Sequence, residues 1–173
     1  FRGRKRQKRC LQRWAIENAC YELTLKGADM LEKPIPELEG KKIALVAMGN
    51  SQLDYHLAIT HSEKFDEVWA INAMCGVVPN PDRVFVLDPP SRFFETDDAG
   101  DMTELMTDVL PTLECPVYTC ELDKRVPSAE LFPLEPLIQD AQCAYLNNTV
   151  AYAIAFAYWN RVGGLNIFGA DFT

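Results

Sequence analysis

Histidine is nearly absent from this chain: His56 and His61 are its only two. The six cysteines, Cys10, Cys20, Cys75, Cys115, Cys120 and Cys143, form no C-x-x-C pair and have no histidine pattern beside them. No zinc site is expected from such a set, and no other metal site is evident. Scattered thiols in apolar surroundings read instead as reduced, core-filling cysteines of a cytoplasmic protein. Long hydrophobic runs are missing too. The longest candidate, Val150–Trp159, falls short of the ~18–20 apolar residues of a membrane span, so none is expected. The basic start of the chain leads into an amphipathic stretch, not an apolar one, and no secretory signal peptide is expected. There is no G-x-G-x-x-G motif, no P-loop, no internal repeat and no low-complexity tract.

What is present suits one globular domain with a real core: 173 residues, 48% of them apolar. The chain starts at Phe1, not Met, and stops at Thr173 just after an apolar run, which reads as a piece of a longer chain. Charge is split. Residues 1–13 hold seven Lys and Arg and no acid, leaving ten of the 17 basic residues against 25 acidic ones, a net of −15 for the remainder. An acidic body disfavours a broad nucleic-acid face. The basic arm suits nucleic acid, a membrane surface or an acidic partner, or simply a solvated helix start.

Leu11, Trp14, Tyr21 and Leu25 fall at helical spacing, so Arg4–Met30 is expected as one amphipathic helix covering the domain or meeting another subunit. The N-terminal unit is placed at 1–33 and the main domain at 41–173. That domain opens on Lys41–Ser51, a continuous apolar run closed by Gly49-Asn50-Ser51. A run without polar alternation suits a strand buried on both faces, as in a parallel sheet. Apolar spacing over Ser51–Phe65 then gives strand, tight turn, helix.

Further strands are expected near 67–72, 83–87, 116–120 and 165–170, with helices over Met102–Leu110 and Val150–Trp159. Phe93–Asp101 reads as a mobile acidic loop, and its carboxylates as solvated rather than metal-binding. Glu121–Gln142 reads as a long irregular excursion with a turn of helix near Pro136–Asp140. Together these make a doubly wound, mainly parallel, Rossmann-like α/β sheet.

Polar residues recur where the apolar strands end or the last helix begins: Asn50, Asn72, Asp88, the Asn148-Thr149 pair and Asp171. In an open parallel sheet the carboxyl ends of the strands share one edge, and ligands bind in the crevice there. Amides and hydroxyls can meet phosphate, ribose and base edges without fixed charge. Helix N-termini favour anions. The plainer role for each residue is a turn or a cap, and for Asp171 a cap on the Asn148-Thr149 helix start.

The stretches IALVAMGNS (43–51), VWAINA (68–73), NTVAYAIA (148–155) and IFGADF (167–172) resemble, in order and spacing, a glycosyltransferase-like group. That group includes bacterial sialyltransferases and the family of motility accessory factors and an archaeal hydroxymethylpterin diphosphokinase. The chain looks most like phage-encoded relatives of it over about residues 41–173. The resemblance implies that Gly49, Asn50 and Ser51 form a nucleotide loop and that Asn72 is the second-strand asparagine. It further matches Asn148 and Thr149 to a Ser/Thr-Gly helix start, and Gly169 and Asp171 to the terminal motif, with Asp171 the catalytic candidate. Gln52 and Leu53 depart from the family's Gly-Pro-Ser continuation, and Val150 stands where Gly is usual. The sialyltransferase histidine base lies beyond the last motif, and this sequence stops before that point.

The function these features imply is transfer of a sugar from a nucleotide-sugar donor, with a nucleotide or nucleotide-sugar as the bound ligand. Two other readings stand beside it: a non-catalytic phage or bacterial assembly module on the same fold, and a pterin or nucleotide diphosphokinase.

Overall fold

The structure, a computed structural model, describes residues 31–97, 99–142 and 145–171. The basic amphipathic segment, but for its last three positions, lies outside the described residues. Strand β1, Lys42–Val46, carries the apolar run into the interior. Ile43, Ala44, Leu45 and Val46 are all 0% exposed. Alternate side chains leave opposite faces of a strand, so Ile43 and Leu45 enter one core cluster and Ala44 and Val46 the other.

The further strands are β2 (Glu67–Ile71), β3 (Arg83–Val86), β4 (Val117–Thr119), β5 (Ala129–Leu131) and β6 (Gly164–Phe168). They form one sheet in the order β5-β4-β3-β2-β1-β6, and every neighbouring pair is parallel. The helices are α1 (Leu53–Thr60), α2 (Ser91–Phe94), α3 (Met102–Val109), α4 (Leu134–Ala141) and α5 (Thr149–Trp159). Helices α1 and α3 bury Tyr55 and Met106 on the face carrying Ala44 and Val46. Helices α4 and α5 bury Leu137 and Phe156 on the opposite face, against Trp69, Phe85 and Tyr118. Helices on both faces of a parallel sheet make the doubly wound Rossmann-like fold expected from the sequence. Phe156 is the hub of the second face, with its ring centroid 4.7 Å from Tyr118, 5.4 Å from Phe85 and 5.7 Å from Trp69.

Three segments differ from the expectation. The stretch 121–142 is more regular than expected: it holds β5, and the turn of helix expected near Pro136–Asp140 is part of an eight-residue helix, α4. Pro136 lies in the first turn of α4, where a missing N–H breaks no helical bond. Strand β5 is only three residues long and is held by its parallel pairing with β4, not by its own composition. Helix α2 enters the expected acidic loop only at Phe93 and Phe94, and a 3-10 turn over Asn72–Gly76, which no sequence pattern marked, follows β2.

The amino end of the sheet carries a buried ionic cluster. Glu67 is 7% exposed and accepts from Lys41 Nζ at 2.8 Å, Trp69 Nε1 at 2.8 Å and Arg83 Nε at 2.9 Å. Arg83 in turn donates to Tyr118 Oη at 3.0 Å. Among the described residues no helix is long and apolar enough to cross a membrane.

Candidate functional site

Strand order reverses once in this sheet. The chain steps outward from β1 through β2, β3, β4 and β5, then returns to place β6 on the other side of β1. At such a switch point the segments leaving two neighbouring strands part to opposite faces, and a crevice opens at their carboxyl ends. Here those segments are Gly49-Asn50-Ser51 after β1 and Gly169-Ala170-Asp171 after β6. Their sequence separation is about 120 residues; the parallel pairing of Val46 with Phe168 brings them together.

The two segments are tied by hydrogen bonds. Gly49 N donates to Gly169 O at 2.7 Å, and Gly169 N donates to Ser51 Oγ at 3.0 Å. Ser51 N donates to both carboxylate oxygens of Asp171, at 3.1 and 3.2 Å, and Ser51 Oγ donates to Asp171 Oδ1. The Ser51 bonds, joined by backbone N–H donors of the turn, hold the Asp171 carboxyl below the usual carboxylate range. The carboxylate thus caps the β1–α1 turn, not the start of α5, and takes the donors that an anion would otherwise use.

Close approach explains both glycines. A Cβ on Gly49 would lie 2.6 Å from Asp171 Oδ1 and 2.8 Å from Gly169 O, closer than carbon and oxygen tolerate. Gly169 has φ +70° and its Cβ would collide with the Ala47 carbonyl, so the position needs a residue without a side chain. Ser51 opens into a 3-10 turn over Asn50–Gln52 that feeds α1. The exposed Asn50 side chain stands on that turn.

The other expected residues line the same edge in different states. Asn72 follows β2 in the left-handed region, φ 49°, and its carboxamide oxygen is buried with no hydrogen-bond partner among the described residues. Buried polar atoms are normally paired, so this one marks a position that something else can satisfy. Asp88, past β3, pairs with Arg92 at 2.7 Å. Arg92 was not among the expected residues, although its spacing four residues from Asp88 was a readable signal. Asn148 is a helix cap: its side chain accepts from Ala151 N at 2.9 Å, and Thr149 begins α5. In a parallel sheet the helices run against the strands, so the amino end of α5 faces this edge too.

Nucleophilic thiol chemistry has no support here. Burial pushes the Cys120 thiol, just past β4, up to about 12, with the Glu121 charge adding to the effect. Burial likewise pushes Cys75 up to about 11. Both stay protonated and inert near neutral pH.

Compared with protein-family models, curated proteins and solved structures, the chain matches none.

Proposed function

We propose that this protein binds a nucleotide at the β1–β6 switch point and transfers a sugar from a nucleotide-sugar donor. The observation that carries the reading is the meeting of Gly49, Ser51, Gly169 and Asp171 at the one place where strand order reverses. A carboxylate fixed by a hydroxyl and a backbone N–H, with an open side, accepts hydrogen bonds from ribose or sugar hydroxyls. The unpartnered Asn72 oxygen offers an acceptor to a base amino group. The donor phosphates lie toward Thr149 and the amino end of α5, where the helix dipole favours negative charge. In such a reaction the protein acts by orientation and by stabilising the leaving phosphate.

A second reading is an interaction module that keeps the fold without the chemistry. It is favoured by the engagement of the turn's donors with Asp171. Isothermal titration of the full chain with nucleoside monophosphates, diphosphates and nucleotide-sugars separates the two. Saturable binding with one nucleotide preferred, lost in Asp171→Ala, supports transfer. No heat with any of them supports the module.

A further inference from the structure

The chain that leads into β1 is anchored on one face of the sheet. Leu38, 0% exposed, belongs to the core cluster under α4 and α5, and Leu31 and Ile35 pack against the same cluster. Ile35 N donates to Asn160 Oδ1 at 2.7 Å, and Asn160 Nδ2 donates to Phe156 O at 2.8 Å. Asn160 is 1% exposed and caps the carboxyl end of α5. Both halves of its amide are used, so the point where the chain comes in is fixed beside that helix. Pro34 and Pro36 stiffen the link.

The side of the sheet that receives this link is covered less completely than the other. Alternate residues of a strand share a face, and Leu165 packs against the α5 cluster, so Ile167 lies on that side too. Leu165 is half-buried and Ile167 is 42% exposed. On the opposite side Phe168 of the same strand is covered, with the rings of Tyr55 and Phe65 at 5.7 and 6.0 Å. Helix α5 adds Ile154 and Tyr158, one turn apart and exposed at 40% and 61%.

We propose that residues 11–25 of this same chain dock on the outer side of α5 as a helix, with Leu11, Trp14, Tyr21 and Leu25 turned toward Ile154 and Tyr158. Those four apolar residues recur at helical spacing and need an apolar partner. Reach permits it. Six residues lead from Leu25 to Leu31, whose place beside α5 is fixed, and they span up to ~20 Å when extended. As a helix the fifteen residues 11–25 are ~22 Å long, against ~16 Å for the eleven of α5. Tethering decides between this segment and a free partner. A short link holds the segment at an effective concentration in the mM range, above that of any second copy in dilute solution. Charge favours it as well: the seven Lys and Arg of residues 1–13 are drawn to a remainder of net −15.

Photo-crosslinking and amide exchange on the full chain test this. A benzophenone side chain placed at Ile154 should crosslink to a peptide within residues 11–25, in a product that still runs at 19.6 kDa. In the wild type the amides of residues 11–25 should be protected. Ile154→Asp, at an exposed position, should speed their exchange at least tenfold and leave the β1 amides unchanged. Exchange of residues 11–25 at unfolded-chain rates in the wild type overturns the proposal. Protection that survives Ile154→Asp also overturns it, since the segment then folds against something else. A crosslinked product of twice the mass assigns the surface to a second copy, and a crosslink to any other segment assigns it there; either result overturns the proposal, as does no crosslink at all. If Ile154→Asp fails to fold, Tyr158→Glu is read in its place, and the crosslink decides independently of both.

Discussion

The two ends of the sheet use polar residues in opposite ways. At the amino end, Glu67 is buried and engaged by Lys41, Trp69 and Arg83, and the Arg83 guanidinium is further used by Tyr118. At the carboxyl end, Asp171 is exposed, Asn72 keeps a buried oxygen unpartnered, and two glycines permit approaches no side chain could make. The first arrangement closes on itself and holds three strands in register. The second is held together by backbone in unusual conformations and leaves one acceptor exposed, the Asp171 carboxylate, and one buried but unpartnered, the Asn72 oxygen. Groups kept in that state lower stability, and they persist where binding or chemistry uses them.

The sharpest way to break this contrast is at Glu67. Glu67→Ala removes one partner of a buried pair and leaves Arg83 uncompensated, which costs about 3–5 kcal/mol. Denaturant unfolding measures it, and a loss below about 1 kcal/mol would erase the distinction between the ends. Gly169→Ala comes next. It forces an alanine to φ +70° and drives its Cβ against Ala47, a strain of about 1–3 kcal/mol. The Asp171–Ser51 contact should loosen with it, visible as faster amide exchange at Ser51.

A pH series sharpens the amino-end half. Burial alone would raise the Glu67 carboxyl, but hydrogen bonds from Lys41, Trp69 and Arg83, with the Arg83 charge, hold it below its ordinary value. A carboxylate with a lowered folded pKa contributes stability above its unfolded pKa of about 4.3, and loses it as pH falls through the lower folded value. Wild type should therefore lose stability over that acid range. Glu67→Gln should start lower at pH 7 and change less, in melts recorded from neutral pH downward. Equal slopes for the two proteins would show that Glu67 is not the titrating group. The smallest stability change belongs to Asn72→Gly, which keeps the left-handed backbone and removes an unsatisfied oxygen. Stability should move by less than about 1 kcal/mol, while nucleotide affinity falls by about 1–3 kcal/mol. Calorimetry with the preferred nucleotide checks the second half.

Some of this architecture was readable residue by residue. The unbroken apolar run of β1 announced a buried parallel strand, which formed as read; the apolar α5 formed as a helix too, but not a fully buried one, since it leaves Ile154 and Tyr158 exposed at 40% and 61%. Strand β5 was hidden, and helix α4 was legible only as a turn near Pro136–Asp140, because Pro127, Pro133 and Pro136 break the local periodicity. Their stability comes from β4 and α5, contacts that no short window contains. For the site, the residue types at strand ends were legible, and their partners were not. Asp171 could be assigned to a cap, but only the adjacency of β1 and β6 shows that it caps Ser51 and leaves the start of α5 to Asn148. Nothing in the local sequence around Glu67 announced that Lys41, Trp69 and Arg83 would converge on it either.

The claim that ties these observations together is that the carboxyl-end crevice between β1 and β6 is where ligand binds. Amide hydrogen exchange on the full chain, with and without the nucleotide preferred in calorimetry, tests it most directly. The account predicts slowed exchange confined to Gly49–Gln52, Asn72, the first turn of α5 and Gly169–Asp171, with the Lys41–Glu67–Arg83 end unchanged. Protection at the amino end, or bound nucleotide with no protection at Gly49–Gln52 and Gly169–Asp171, would contradict it.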